Sequence, residues 1–147
     1  MLIPPFDGIL NVLPPHIGNP AESRSDLSPY PCTMEELCAR FASSAARKEI
    51  LDGFLKLRAE LLELGIQGFQ WLGGSFMEDI ETHEARPPRD IDVVTFVSLP
   101  TTSVQIRGML DPKMNLLSRA FVKSTYHVDH IWIPLGVSPI VLVDEAR

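Results

Sequence analysis

The chain predicts an α/β (α+β) domain: a mixed, partly antiparallel β-sheet with helices packed against it, entered through a proline-rich arm. Three observations predict it. An apolar stripe at helical spacing runs from Ile50 to Leu62. Two later runs, residues 90–97 and 125–133, carry the β-branched and aromatic residues that suit strands. The start is punctuated by Pro4, Pro5, Pro14, Pro15, Pro20, Pro29 and Pro31. Proline removes backbone donors and fixes φ, which disfavours long helices and central strands there.

The elements follow in order. Ile3, Phe6, Ile9, Leu10, Val12 and Leu13 lie between the prolines, so residues 1–32 read as an extended arm packed on a domain of residues 33–147. Asn19 to Asp26 reads as an exposed loop. Thr33-Met34-Glu35-Glu36 is a capping box, opening a helix that runs to about Ser43. Ser44 caps the next helix, which carries Ile50, Leu51, Phe54, Leu55, Leu61 and Leu62 on its core stripe. Arg58 sits within that stripe, where its alkyl stem can cover apolar surface. Gly65 follows as a left-handed C-cap.

Gly68 to Leu72 reads as a short strand, and Gly73-Gly74-Ser75-Phe76 as a turn that opens a short helix. Glu81 to Pro88 is a loop, and Asp90 to Val97 the best strand. Residues 103–122 look helical, interrupted at Asp111-Pro112. Thr125 to Ile133 and Pro139 to Val143 read as further strands, and Trp71 and Trp132 as core residues.

Composition narrows the function classes. A chain of 147 residues fits one domain with a real core. A net charge of −6 opposes non-specific nucleic-acid binding. Arg86, Arg89, Arg107, Lys113, Arg119 and Lys123 still leave room for a local basic cleft. No apolar run is long enough to span a membrane, and no basic segment precedes an apolar stretch at the start. Cys32 and Cys38 do not form a C-x-x-C unit. These features predict a cytoplasmic protein with reduced thiols and no membrane attachment.

The chemistry gathers at Asp90 and Asp92. Two apart on a strand, their carboxylates share one face, while Ile91 and Val93 point to the other. Adjacent carboxylates repel, and a divalent cation relieves the repulsion; oxygen ligands suit magnesium or manganese. Upstream, Gly73-Gly74-Ser75 is a turn whose glycines let backbone amides approach an anion, with the Ser75 hydroxyl as a further donor. A phosphate cradle beside a metal-binding acid pair belongs to phosphoryl or nucleotidyl transfer.

Gly74-Ser75-Phe76, a spacer, and Asp90-Ile91-Asp92 together resemble the signature of the polymerase-β-like nucleotidyltransferase superfamily. Within it, Leu13-Pro14-Pro15, Gly68-Phe69-Gln70-Trp71-Leu72 and the run from Lys123 to Asp129 resemble a group of bacterial and phage proteins. The resemblance implies a minimal nucleotidyltransferase fold. It implies magnesium or manganese held by Asp90, Asp92 and Asp129, with Asp129 as the third carboxylate on a later strand. A nucleoside triphosphate such as ATP would be the substrate, its phosphates held by Gly74, Ser75, Lys123 and Arg89. The acceptor would be a protein side chain, an RNA end, another nucleotide or a small molecule.

Two departures from the pattern stand out. The spacer between Ser75 and Asp90 is long, and superfamily members usually continue past this point into a helical substrate-binding part. Acceptor recognition would then be reduced, or supplied by a partner protein or a homo-oligomer. The rival reading is therefore an inactive nucleotidyltransferase-like binding module, in keeping with the toxin–antitoxin and phage-defence roles of small members.

Bland readings stand beside these. Asp90 can cap its loop and pair with Arg89, and Lys123 can be a solvated cation at a helix end. A zinc hydrolase built on His83, His127, His130 and Asp129 lacks any H-E-x-x-H spacing, and a serine hydrolase lacks G-x-S-x-G.

Overall fold

A computed structural model describes residues 3–19, 21, 27–98 and 103–135. Most of the loop expected at 19–26, and the strand expected at Pro139 to Val143, lie outside the described residues.

Helix α1 spans Met34–Phe41 and opens on the capping box: Glu36 N–H donates to Thr33 Oγ1 at 3.1 Å, and Thr33 N–H donates back to the Glu36 carboxylate at 3.3 Å. Helix α2 spans Ala45–Glu63, with Arg47 N–H donating to the Ser44 hydroxyl at 3.2 Å. Its buried stripe is Arg47, Ile50, Leu51, Gly53, Phe54, Leu57 and Leu61. Leu55 and Leu62, expected on that stripe, are exposed; Leu57 takes the place instead. Gly65 follows with φ +74°, the left-handed conformation that ends the helix.

Strand β1, Gln67–Gly73, pairs antiparallel with β2, Ile91–Ser98, and β2 pairs parallel with β3, Val128–Pro134. The result is a mixed three-stranded sheet of order β1-β2-β3, so β1 is an edge strand. Between β1 and β2 lie a short 3-10 turn, Ser75–Met77, and a brief helix α3, Ile80–Glu84. Between β2 and β3 lie α4, Ser103–Leu110, an irregular 3-10 stretch over Asp111–Leu117, and α5, Arg119–Tyr126. The Asp111-Pro112 break falls where the sequence places it. Thr125 and Tyr126 do not begin the last strand: they finish α5, and His127, at φ +58°, turns the chain into β3. The Ser118 hydroxyl caps α5 by accepting from Phe121 N–H at 3.2 Å.

The two faces of the sheet differ. Ile91, Val93 and Val128 point towards the helices, forming one core with Leu37, Phe41, Phe54, Leu57 and Val122. Ile3, Phe6 and Leu13 of the arm pack against it. On the opposite face Phe69 stacks on Phe96 at 4.7 Å between centroids, and Trp71 meets the same ring edge-on. Trp71 is 37% exposed, so it is not a core residue; Trp132 packs on the main core and donates its indole N–H to the Leu116 carbonyl at 3.2 Å.

Candidate functional site

Gly73, Asp92 and Asp129 form one row across the three strands: Gly73 pairs with Asp92, and Asp92 with Asp129. Side chains at paired positions share a face, so both carboxylates leave the sheet on the side away from the helices. They line a recess of about 320 Å³ with Gly74, Trp71, Ile131 and Arg119. Asp90 lies just ahead of β2, not inside it as the sequence suggests, and is absent from that lining.

The turn after β1 is fitted to Asp92. Gly74 has φ +79°, and a Cβ there would stand 2.8 Å from Asp92 Cγ and Oδ2. Only glycine lets the backbone approach the carboxylate so closely.

That turn is held from behind by groups the sequence did not single out. Arg47, on α2 and buried, donates to the carbonyls of Phe76 at 2.6 Å and Glu78 at 2.7 Å, and to the Glu81 carboxylate at 2.7 Å. The arm adds a second tie: Asp79 N–H donates to the Asn11 carbonyl at 2.8 Å. No periodicity distinguishes Arg47 from a solvated helix residue, which is why it was not legible.

Helix α5 brings two cations to the acids from one of its faces. Arg119 grips Asp129 with two hydrogen bonds, at 2.5 and 3.0 Å, and Lys123 stands 3.3 Å from Asp90. Lys123 is therefore paired and not merely solvated, and Asp90 takes Lys123 where Arg89 was the expected partner. Arg89 is exposed and lines neither acid, and Ser75 does not line the recess. Arg119, named only as part of a basic cleft, proves to be the cation nearest the acid row.

The electrostatics follow this placement. The Arg119 guanidinium holds the Asp129 carboxyl below its ordinary value. Asp92 is pushed up, first by partial removal from water and then by the charges of Asp129 and Asp90. Among the described residues no ion pair offsets the charge of Asp92. Nor does any group of three His, Cys, Asp or Glu side chains among them stand close enough to hold a metal ion.

Behind the row, on the helix-facing side, a polar chain crosses the sheet. Arg58 Nη1 donates to Gln70 Oε1. Gln70 Nε2 donates to Thr95 Oγ1 at 3.0 Å, and Thr95 Oγ1 meets His130 Nε2 at 2.5 Å. Arginine only donates, which fixes the amide orientation and leaves the threonine proton for His130. Burial lowers the His130 pKa to about 4. His130 is thus a neutral, bonded sheet residue. The signal for this chain was polar residues at strand positions that face the core.

The fold and site thus define a small mixed-sheet α+β domain with an acid pair set against a glycine turn. The chain belongs to a family of unknown function, DUF6932, whose model matches residues 4–146. Neither the curated proteins nor the solved structures contain a match.

Proposed function

We propose that this protein is a metal-dependent nucleotidyltransferase, transferring a nucleotide from a nucleoside triphosphate to an acceptor hydroxyl. The observation that carries the reading is the row Gly73–Asp92–Asp129 with Gly74 pressed against the Asp92 carboxylate. It combines a backbone turn suited to phosphate with paired oxygen donors, in the order of the nucleotidyltransferase signature.

Asp90, Asp92 and Asp129 would offer oxygen donors of the kind that magnesium or manganese takes. Asp92 carries charge that its neighbours destabilise, and a divalent cation relieves that. Asp92 would hold the ion, joined by Asp90 and Asp129 when Lys123 and Arg119 release them. Both cations sit on largely exposed side chains, 55% and 63% accessible, and are free to turn to phosphate oxygens. When bound, the metal supplies charge neutralisation at the phosphates and lowers the pKa of the acceptor hydroxyl. The Gly73–Gly74 backbone would approach the phosphates, and Asp129 would help accept the acceptor's proton.

The second reading is a binding module that keeps this fold without turnover, as in a toxin–antitoxin or defence system. The pairing of Arg119 with Asp129 and of Lys123 with Asp90 favours it, because both contacts occupy acids that catalysis needs.

Incubation with labelled nucleoside triphosphates, magnesium and host lysate separates the two. Label transferred by the wild type and lost in Asp92→Ala is the expected outcome. Magnesium-dependent thermal stabilisation by ATP or GTP without any transfer favours the binding module. No stabilisation by any nucleotide would count against the transferase and leave the partner-binding module standing.

A further inference from the structure

A second and larger recess, about 800 Å³, lies between the N-terminal arm, the α1–α2 pair and β1, and meets the acid-row recess at Trp71, Leu72 and Gly74. Its volume falls within the roughly 300–1,000 Å³ of ligand-binding clefts. Consecutive residues Gly68, Phe69, Gln70, Trp71 and Leu72 all line it. Gln70 and Leu72 point to the helix-facing side of the sheet, whereas Phe69 and Trp71 point to the other. A recess touched by both sets runs along the edge of β1 itself. That edge is open: among the described residues, 67–73 make backbone hydrogen bonds only within the β1–β2 ladder. No Pro or Lys protects it.

The opposite wall is the arm, through Val12, Leu13 and Tyr30, with Leu62 at the rim. One cation lies inside. Arg58 rests near the Phe54 ring, 5.8 Å from its centroid, and spends one N–H on the neutral Gln70 amide. No carboxylate of the described residues lies within ion-pair distance of it. Glu78, at the Gly74 end, is the acidic lining residue, so an occupant should not be negative along its whole length.

We infer that this groove binds an extended peptide of a partner protein, added to β1 as a fourth strand. The peptide alternates apolar side chains and places one acidic residue opposite Arg58. The edge supplies main-chain hydrogen bonds, the arm and Phe69 the apolar contacts, and Arg58 the register.

Panning a random heptapeptide phage library on the full-length protein tests this. Enriched peptides, remade as synthetic probes, are expected to show the alternating apolar pattern with one Asp or Glu. Replacing that acid by its amide, or Arg58→Gln, should weaken binding by about tenfold or more. Leu62→Glu, at a rim residue 73% exposed and so safe for folding, should also weaken binding by repulsion. Backbone amides of residues 67–73 should exchange more slowly with peptide bound. The inference is overturned if no peptide enriches, or if binding ignores both substitutions and leaves β1 exchange unchanged. It is equally overturned if light scattering shows that β1 is occupied by a second copy of the chain, or if dodecanoate binds there and peptides do not.

Discussion

Asp92 and Asp129 are paired positions on adjacent parallel strands, yet Asp129 is clasped by Arg119 while Asp92 faces the Gly74 backbone. One carboxyl is held below its ordinary value and the other is pushed above it. The acid row is thus divided into a neutralised member and a strained one.

Asp92→Asn should leave the fold intact and slightly stabilise it at neutral pH. A carboxyl whose folded pKa is raised contributes stability below its unfolded value, 3.8, and loses it as pH rises through the folded value. Above that window the desolvation of the charged carboxylate, with the repulsion from Asp129 and Asp90, is a constant cost, which the amide removes. Because Asp92 is well exposed, solvent keeps the gain small, about 1–2 °C in Tm. Thermal scans at pH 7 and below pH 4 check it: the two proteins should converge in acid.

Gly74→Ala should cost about 1–2 kcal/mol and abolish magnesium-nucleotide stabilisation. A positive φ strains alanine, and its methyl would collide with Asp92. Gly108→Ala on α4 is the control, because a Cβ there meets nothing within 4 Å and the residue does not line the recess. Urea unfolding with thermal shifts in the presence of nucleotide reads both. Equal behaviour of the two variants would remove Gly74 from the site.

Arg47→Met should destabilise by about 3 kcal/mol. It strips two carbonyls and the Glu81 carboxylate of their donor at a buried position. Chemical denaturation measures the loss. Arg47→Met, Glu81→Gln should show coupling, since the pair shares one network.

His130 should make the protein acid-sensitive. Its pKa falls from 6.5 to about 4 on folding, so its contribution is complete above pH 6.5 and is lost as pH falls towards 4. The amount at stake is up to about 3 kcal/mol. His130→Gln should flatten the stability profile across that interval. A profile identical to the wild type's would mean that another group controls it.

Much of this was readable from residue order. Thr33, Ser44 and Gly65 announce their caps through local backbone chemistry, and the Asp111-Pro112 break is just as local. Asp92 is legible because an acid in an apolar strand contradicts its surroundings. What escaped depends on pairing between distant segments. Nothing in the run from Arg119 to Tyr126 says that its basic residues meet Asp90 and Asp129, and strand propensity at Thr125 and Tyr126 was overridden by the turn at His127. The Arg58–Gln70–Thr95–His130 chain needs one helix and three strands in place before any member has a partner.

Gly53 ties these regions together mechanically. It is buried where α2 crosses α5, and a Cβ there would lie 2.0 Å from the Tyr126 carbonyl oxygen. Helix α5 therefore rides directly on the backbone of α2, with no side chain between them to act as a cushion. Arg119 and Lys123 ride on the same helix, so their reach to the acids is set in part by a contact at its C-terminal end. Enlarging residue 53 by one methyl would lift α5 and shift both cations at once, retuning the charge of the site from inside the core.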